Sequence, residues 1–403
     1  MRRLLIAILI CSMLLPMCAM AATDADTDFD QDFLSYIHAL NAREDYIISP
    51  LSLRAALILA VEGANGDTRE HLLRAMGFAS EDEMAQWYAT VRESVGYFLG
   101  WVRWQAQDLK QAASYYPEEE APTLPPHAYR VLNGVWNNTD IFGGFLPDYI
   151  RRISERYDAT VASVPADQIT DTVNQWCDRA TDGMIPSISD DLSACAAALV
   201  NAVYLKSSWA EDFDDYMTEP EDFTDIDGQV SRRDMMKAKE SYLYYEDGDT
   251  QLISIPLNGG LTFIAVLGDA SDWQADYAAA RYMDVDLWLP KLDTESVFGA
   301  DALEGYLRDR GAADAFDASA ADFSRMSDQP WYIGSIMQKA KIKTDEEGLE
   351  AAAVTIVADG YAAPWEEEEP RYREFHADRP FRYYVVTTST QTPLVVFAGQ
   401  EAR

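Results

Sequence analysis

The chain has 403 residues, of which 48% are hydrophobic and 25% charged, and this is the composition of a globular protein with a large core. Its 68 acidic residues outnumber 32 lysines and arginines, so the formal net charge is −36. A field of this sign repels phosphate backbones and anionic lipid surfaces, so neither nucleic acid nor a membrane is an expected partner. No Pro/Gly/Ser-rich linker divides the chain, which predicts one large domain.

The first residues are typical of a secretion signal. Arg2 and Arg3 precede an apolar run over residues 4–15, and Ala19 and Ala21 supply small side chains at the positions that a signal peptidase reads. We therefore expect residues 1–21 to be a signal peptide and residues 22–403 to be the mature domain. The protein is then secreted, and the sequence leaves a periplasmic and an extracellular destination equally open.

Two cysteines, Cys177 and Cys195, remain in the mature chain. An oxidising compartment permits a disulfide between them, but a bond also requires a short distance between their Cα atoms, which sequence does not supply. A bridge and two free thiols are both compatible with the sequence.

The first part of the mature chain is predicted to be helical. Apolar residues between Phe29 and Leu40 recur at spacings of three and four, which places them on one helix face. A second helix follows Ser52, and its nearly continuous apolar run over 53–61 indicates burial on all sides. Thr68 is positioned to cap a third helix.

The second half of the chain is dominated by predicted strands. Residues 196–205 are small and apolar, as in a strand buried on both faces, and residues 251–257 and 261–267 flank an Asn-Gly-Gly hairpin turn. Two more β-rich runs, 382–388 and 393–397, lie near the C-terminus. Helices followed by strands with hairpins predict an α+β fold with mostly antiparallel sheets.

No catalytic constellation is visible. The four histidines, His38, His71, His127 and His376, are far apart in sequence and have no metal-ligand spacing. The sequence also lacks a G-x-S-x-G elbow, a glycine-rich phosphate loop and an H-E-x-x-H helix. We therefore expect no enzyme activity, no metal site and no cofactor. A secreted hydrolase without a recognisable motif remains a remote alternative.

Residues 345–363 fit neither a core strand nor a stable helix, because acids are followed by a glycine, then by alanines, then by β-branched residues. An exposed flexible loop is the simplest interpretation. It leaves a period-two set unexplained, however, because Ala351, Ala353, Thr355 and Val357 would share one face if the segment became a strand. Such small side chains could pass between parted strands of a sheet.

Several short motifs occur in a fixed order along the mature chain. They are residues 46–52 (YIISPLS), 63–68 (GANGDT), 199–206 (LVNAVYLK), 289–291 (LPK), 321–324 (ADFS), 345–353 (DEEGLEAAA) and 375–381 (FHADRPF). With them, the sequence resembles the serpins, a family of serine protease inhibitors, over almost the whole mature chain.

The resemblance implies a serpin fold with three mostly antiparallel β-sheets (A, B and C), eight or nine helices, and an exposed reactive-centre loop at about residues 346–374. It also implies a suicide mechanism. A serine or cysteine protease cleaves the loop and forms an acyl-enzyme, and the cut loop then inserts into the central sheet and distorts the trapped protease. Inserting about fourteen residues moves the protease on the order of 45 Å. The implied partner is the target protease, and the protein is expected to be a monomer.

Site residues follow from the resemblance by position. It implies that the scissile bond joins Ala362 to Ala363, with Tyr361 as the alternative residue before the cut. A small Ala362 suits elastase-like or subtilisin-like proteases. Sheet opening is assigned to Ser49, Ser52, Asn201, Trp209 and Gln338, although capping or core packing would also explain the serines and Trp209. The loop hinge comprises Glu346, Glu347, Gly348, Leu349, Glu350, Ala351, Ala352 and Ala353, with Gly348 allowing a backbone bend.

Leu349 and Gln338 are among the residues that depart from the family pattern. Leu349 stands where inhibitory serpins usually have Thr or Ser, and a larger first side chain would slow insertion and favour hydrolysis of the acyl-enzyme. Gln338 replaces a histidine found in many relatives, but it still donates and accepts hydrogen bonds. The intact acid-Gly-x-Glu-Ala-Ala-Ala hinge favours an inhibitor, and a non-inhibitory binding or storage protein with the same fold is the alternative.

Overall fold

The computed structural model describes residues 24–115, 126–334, 336–349 and 372–403. Within these ranges it contains eight α-helices and fifteen strands, which confirms the expected α+β class. The helices are α1 (Asp24–Leu40), α2 (Pro50–Gly63), α3 (Gly66–Ala75), α4 (Glu81–Tyr115), α5 (Pro147–Tyr157), α6 (Ala166–Ala180), α7 (Trp273–Ala279) and α8 (Ala300–Asp309).

The strands fall mostly in the second half of the chain, as expected. They are β1 (Tyr46–Ile48), β2 (Ala128–Asn138), β3 (Thr160–Val164), β4 (Ala197–Ser208), β5 (Glu219–Thr224), β6 (Val230–Asp247), β7 (Thr250–Leu257), β8 (Leu261–Leu267), β9 (Arg281–Pro290), β10 (Asp293–Phe298), β11 (Gln338–Asp345), β12 (Gly348–Leu349), β13 (Arg373–His376), β14 (Phe381–Thr387) and β15 (Val395–Glu401).

A six-stranded sheet, in the order β10-β11-β12-β4-β2-β3, forms the centre of the molecule. The buried helix α2 packs against β4 and β2 on one side of the sheet. On the other side, α6 packs Ile169, Val173 and Cys177 against Trp136 and Val200, which forms a second, smaller core. Helices therefore cover β2 and β4 on both faces, whereas β11 alternates buried residues with lysines that are exposed or half-buried.

A nine-stranded sheet contains the remaining strands, with β5 paired to β6 beside the path β1-β15-β14-β8-β7-β6-β9-β13. The resemblance implied three sheets, whereas the described strands form two hydrogen-bonded sheets. The 18-residue strand β6 accounts for the difference, because it pairs with β5, β9 and β7 along successive parts of its length. One long strand thus joins two groups of strands.

The prediction that Thr68 caps a third helix is wrong. Helix α3 begins at Gly66 with Asn65 as its N-cap residue, so Thr68 lies inside the helix, and its Oγ1 donates to Asp314 Oδ2 at 2.7 Å.

The hairpin prediction is confirmed. Gly259 and Gly260 have φ values of 75° and 81° and connect β7 to β8, as the hairpin signal predicted.

Cys177 and Cys195 are free thiols, and burial raises the pKa of the Cys177 thiol to about 12.

None of the helices in the described ranges is long and apolar enough to cross a membrane.

Candidate functional site at the loop hinge

The hinge enters the central sheet. Gly348 and Leu349 form β12, which pairs antiparallel with β11 through Asp345 and Thr344, and with β4 through Ser208 and Ser207. Leu349 is only 3% exposed. The hinge end of the loop was expected to lie outside the body of the protein, but its first side chain is already packed between two central strands.

Position 348 requires a glycine because the neighbouring strand leaves no room for a side chain. A Cβ atom at this position would lie 2.2 Å from the carbonyl oxygen of Ser207 and 2.6 Å from the Cα of Ser208. Its φ is not among the positive values, so the predicted backbone bend is not the reason that glycine stands here. Close approach of β12 to β4 explains the residue instead.

Trp209 fixes the turn that leads into β12. Its backbone N–H donates to the carbonyl oxygen of Glu347 at 2.9 Å, and its indole Nε1 donates to the carbonyl oxygen of Asp345 at 2.8 Å. The N–H of Phe213 donates to the carbonyl oxygen of Glu346 at 2.8 Å. Trp209 is also 1% exposed, so it is both a core aromatic and a direct support of the hinge.

The two hinge glutamates have opposite electrostatic surroundings. Burial would raise the pKa of Glu346, but the Lys291 ammonium, 2.7 Å away, outweighs it and holds the pKa below its usual value. Burial and the neighbouring charges of Asp345 and Asp212 raise the pKa of Glu347. Glu346 therefore holds the turn in place as an anion, whereas the charge on Glu347 opposes the docked arrangement.

Three predicted residues meet at the far end of β11. The Ser49 N–H donates to Gln338 Oε1 at 2.9 Å, and Gln338 Nε2 donates back to the Ser49 carbonyl oxygen at 2.8 Å. Ser49 Oγ donates to the carbonyl oxygen of Val396 at 2.6 Å and accepts from the N–H of Ser52. The amide of Gln338 thus ties β11 to the start of α2 without a titrating group, which a histidine would supply.

Asn201 is not part of this group. Its Nδ2 donates to the carbonyl oxygen of Leu132 at 3.1 Å and to Asn133 Oδ1 at 3.0 Å, both on β2. Asn133 continues the network to the hydroxyl of Tyr88 at 2.8 Å. Sequence reasoning missed Asn133 and Tyr88, although an asparagine in the middle of an apolar strand is a signal of a buried polar contact.

A slot lies between β4 and β11. Both strands pair with β12, and no residue of β4 pairs with β11 in the part of the chain that the structure describes. Two neighbouring strand spacings place strands that flank a third about 9.6 Å apart, so the slot is one strand wide where β12 occupies it. Its inner face is formed by Asn201, Val203, Leu205 and Ser207 of β4 and by Gln338, Ala340, Ile342 and Thr344 of β11.

The remaining predicted site residues lie outside the described residues. These are Glu350, Ala351, Ala352, Ala353, Tyr361, Ala362 and Ala363, and the predicted signal peptide at 1–21 also lies outside them. In the described ranges, no group of three or more His, Cys, Asp or Glu side chains is arranged to hold a metal ion.

A family model described as "Serpin (serine protease inhibitor)" matches residues 24–401. The chain belongs to the serpin family. The serpin fold that the sequence motifs implied is therefore confirmed, and members of this family are generally protease inhibitors rather than enzymes.

Related proteins agree with this assignment. The leukocyte elastase inhibitor of Xenopus tropicalis is 24% identical over 94% of this chain and 98% of its own length. The native structure of the thermophilic serpin tengpin superposes with a TM-score of 0.71, at 23% identity over 94% of this chain and 93% of that one. A human thyroxine-binding globulin complexed with thyroxine superposes with a TM-score of 0.72, at 20% identity over 94% and 96%.

Removing the charge of Glu346 is expected to loosen the hinge of this serpin. In Glu346→Gln the Lys291 ammonium loses its ion pair, so amide hydrogen exchange at Trp209 and Phe213 should accelerate roughly threefold to tenfold at neutral pH. Because the pKa of Glu346 is lowered in the folded protein, the difference from wild type should vanish as the pH falls through that pKa. Equal exchange rates at neutral pH would contradict this role.

Proposed function

We propose that this serpin is a secreted suicide inhibitor of serine endopeptidases, with cysteine endopeptidases as a further class of target. The observation that carries the proposal is the pairing of Leu349 with both β4 and β11. A loop that is cut downstream of Leu349 can continue the same strand into the slot. Insertion would carry the acylated protease to the opposite end of the sheet before the ester is hydrolysed.

The pairing of β12 supports the proposal through its register. If the inserted loop continued both pairings, Ala351 would lie between Leu205 and Ile342, and Ala353 between Val203 and Ala340, on the inner face of the sheet. The same register would bring Thr355 between Asn201 and Gln338, where Asn201 Oδ1 is buried and has no hydrogen-bond partner among the described residues. Small apolar loop residues thus meet apolar neighbours, and the polar one meets amides.

The target class follows from the residue before the cut. Ala362 fits the small primary pocket of elastase-like and subtilisin-like proteases, and Tyr361 is the alternative if the count differs by one. Relatives over almost the whole chain include leukocyte elastase inhibitors of Xenopus tropicalis, mouse and human. We also propose that the protein is secreted. This part of the proposal rests on the two arginines, the apolar run and the small residues within residues 1–21.

The test is incubation of residues 22–403 with an elastase-like and a subtilisin-like protease. We expect a covalent complex that survives a denaturing gel. We also expect a released C-terminal peptide, whose mass shows that it begins at Ala363, or at Ala362 for the alternative cut. The same protease with its catalytic serine replaced by alanine should give neither product, because no acyl-enzyme forms. Clean cleavage without a covalent band would overturn the inhibitory proposal and favour the binding or storage alternative.

A further inference from the structure

The ion pairs around the end of α2 form a group in which cations outnumber anions. They join residues of α2, α3, α4 and α5 and of the segment between α8 and β11. The charged side chains of this group, which we call the arginine cluster, are Glu62, Arg69, Glu81, Arg152, Arg156 and Arg325. Four guanidinium groups thus share two carboxylates, and no other carboxylate of the described residues lies within 4.0 Å of them. A local excess of positive charge stands out in a protein with a net charge of −36.

Both carboxylates of the cluster are already engaged. Glu62 is fully buried, its Oε1 accepts a hydrogen bond from Arg156 Nη1 at 3.1 Å, and its Oε2 lies 3.3 Å from Arg152 Nε. Glu81 holds Arg69 with both oxygens, which lie 2.6 Å from Nε and 2.5 Å from Nη2. Neither carboxylate is therefore available to neutralise the fourth guanidinium group.

Arg325 carries this fourth guanidinium group. Its Nη1 lies 3.8 Å from Glu81 Oε1, which is too long for a hydrogen bond, and no described residue accepts a hydrogen bond from its side chain. The side chain is 32% exposed, so solvent and small solutes reach it. Burial and the nearby guanidinium groups of Arg69 and Arg152 lower the pKa of Arg325. Its donors thus face solvent in surroundings that favour an added anion.

The backbone that carries Arg325 is held in place. The carbonyl oxygen of Arg325 accepts a hydrogen bond from Arg152 Nη2 at 3.2 Å, and the same Nη2 donates to the carbonyl oxygen of Glu62 at 3.0 Å. The next residue, Met326, is fully buried, and its carbonyl oxygen accepts from the N–H of Leu146 at 2.8 Å. A donor on a fixed backbone loses less conformational entropy when it binds a ligand.

Arg156 is the second exposed cation of the cluster. Its side chain is 57% exposed, and that of Glu81 is 48% exposed. The pKa of Glu81 is lowered first by its hydrogen bond with Arg69. The charges of Arg325 and Arg156 lower it further, so both guanidinium groups lie near the same partly exposed carboxylate.

We propose that the arginine cluster binds a phosphate or sulfate group, either free or at the end of a small organic molecule, with Arg325 as the principal donor. The planar guanidinium fork matches two oxygens of a tetrahedral oxyanion, and a divalent anion would balance the excess positive charge. The negative field of the rest of the protein disfavours a long polyanion at the same place. This site is independent of protease inhibition, because it involves neither the loop nor the slot.

The experiment compares melting temperatures in sodium chloride and in about 20 mM sodium phosphate, sodium sulfate or phenyl phosphate at the same ionic strength, so that general screening is equal. In the wild type, phosphate or sulfate should raise the melting temperature by about 2 °C. The rise should be absent in Arg325→Gln and reduced in Arg325→Lys, which keeps the charge but loses the fork. A larger rise with phenyl phosphate than with phosphate would assign the site to an organic monoester, and a smaller one to the free anion.

Two comparisons separate anion binding from a structural role of Arg325. In chloride, Arg325→Gln should melt at or above the wild-type temperature, because the substitution removes repulsion from Arg69 and Arg152 and breaks no hydrogen bond. Arg232→Gln is the matched control, since Arg232 is 61% exposed on β6 and lies outside the cluster, and it should keep the full rise. No rise in the wild type, an equal rise in Arg325→Gln, or an equal loss in Arg232→Gln would overturn the proposal.

Discussion

Replacing Ala353 by glutamate is expected to convert the protein from an inhibitor of its target protease into a substrate. In an inserted loop that kept the register of β12, residue 353 would lie between Val203 and Ala340, which are 7% and 3% exposed. Inserting the variant loop would bury an unpaired carboxylate at a cost of several kcal/mol, which slows insertion by roughly 100-fold or more. Hydrolysis of the acyl-enzyme would then precede trapping. The measurement is the number of serpin molecules consumed per protease molecule inhibited.

Ala352→Glu is the control for this variant, because it adds the same side chain one position earlier. Residue 352 would pair with Lys341 and face the opposite side of the sheet, where the lysine ammonium accommodates a carboxylate. Inhibition should therefore be retained with only a small rise in the number of molecules consumed. Equal effects at the two positions would show that the alternation fixed by Leu349 does not extend along the loop.

Cleavage of the loop is expected to raise the melting temperature of the protein by about 10 °C or more. A strand added between β4 and β11 would supply backbone hydrogen bonds to both of them and would bury its inward-facing side chains. Scanning calorimetry of the intact and cut proteins measures the change. A melting temperature that stays the same after complete cleavage would contradict insertion.

Cut Ala353→Glu protein provides the internal comparison for the heat experiment. Its loop is severed at the same bond, so any effect of cleavage alone would be present in it. Because insertion past residue 352 is opposed, most of the rise in melting temperature should be absent. A full rise in melting temperature in the cut variant would show that thermal stabilisation does not require insertion of the inward-facing residues.

The fold could be predicted from the sequence because motifs separated by tens of residues occur in the family order. The hairpin at Gly259 and Gly260 and the helix cap at Ser49 could also be predicted, because a turn or a helix start depends on a few neighbouring residues. The 35-residue helix α4 escaped prediction, although Met84, Trp87, Tyr88 and Val91 repeat at helical spacing and are buried.

The state of the hinge could not be predicted from the sequence. Whether Leu349 lies inside the sheet depends on the separation of β4 and β11, whose residues Ser207 and Thr344 flank Leu349 and are 137 positions apart in sequence. For the same reason, sequence grouped Asn201 with Ser49 and Gln338, whereas the structure pairs it with Asn133. Close approach of backbones at Gly348 is likewise a tertiary contact, and a glycine in the sequence does not distinguish it from a bend.

The two residues of β12 change which step would limit the rate of the proposed loop insertion. Starting a strand requires a free segment to find its partners and to lose the entropy of closing a loop before any ladder forms. Here Gly348 and Leu349 already make that first contact, so each later residue of an inserting loop would add to an existing nucleus. The proposed insertion would then proceed as elongation from a preformed end. Its speed would depend on how readily β4 and β11 part ahead of the growing strand, rather than on how often a loop collides with the sheet.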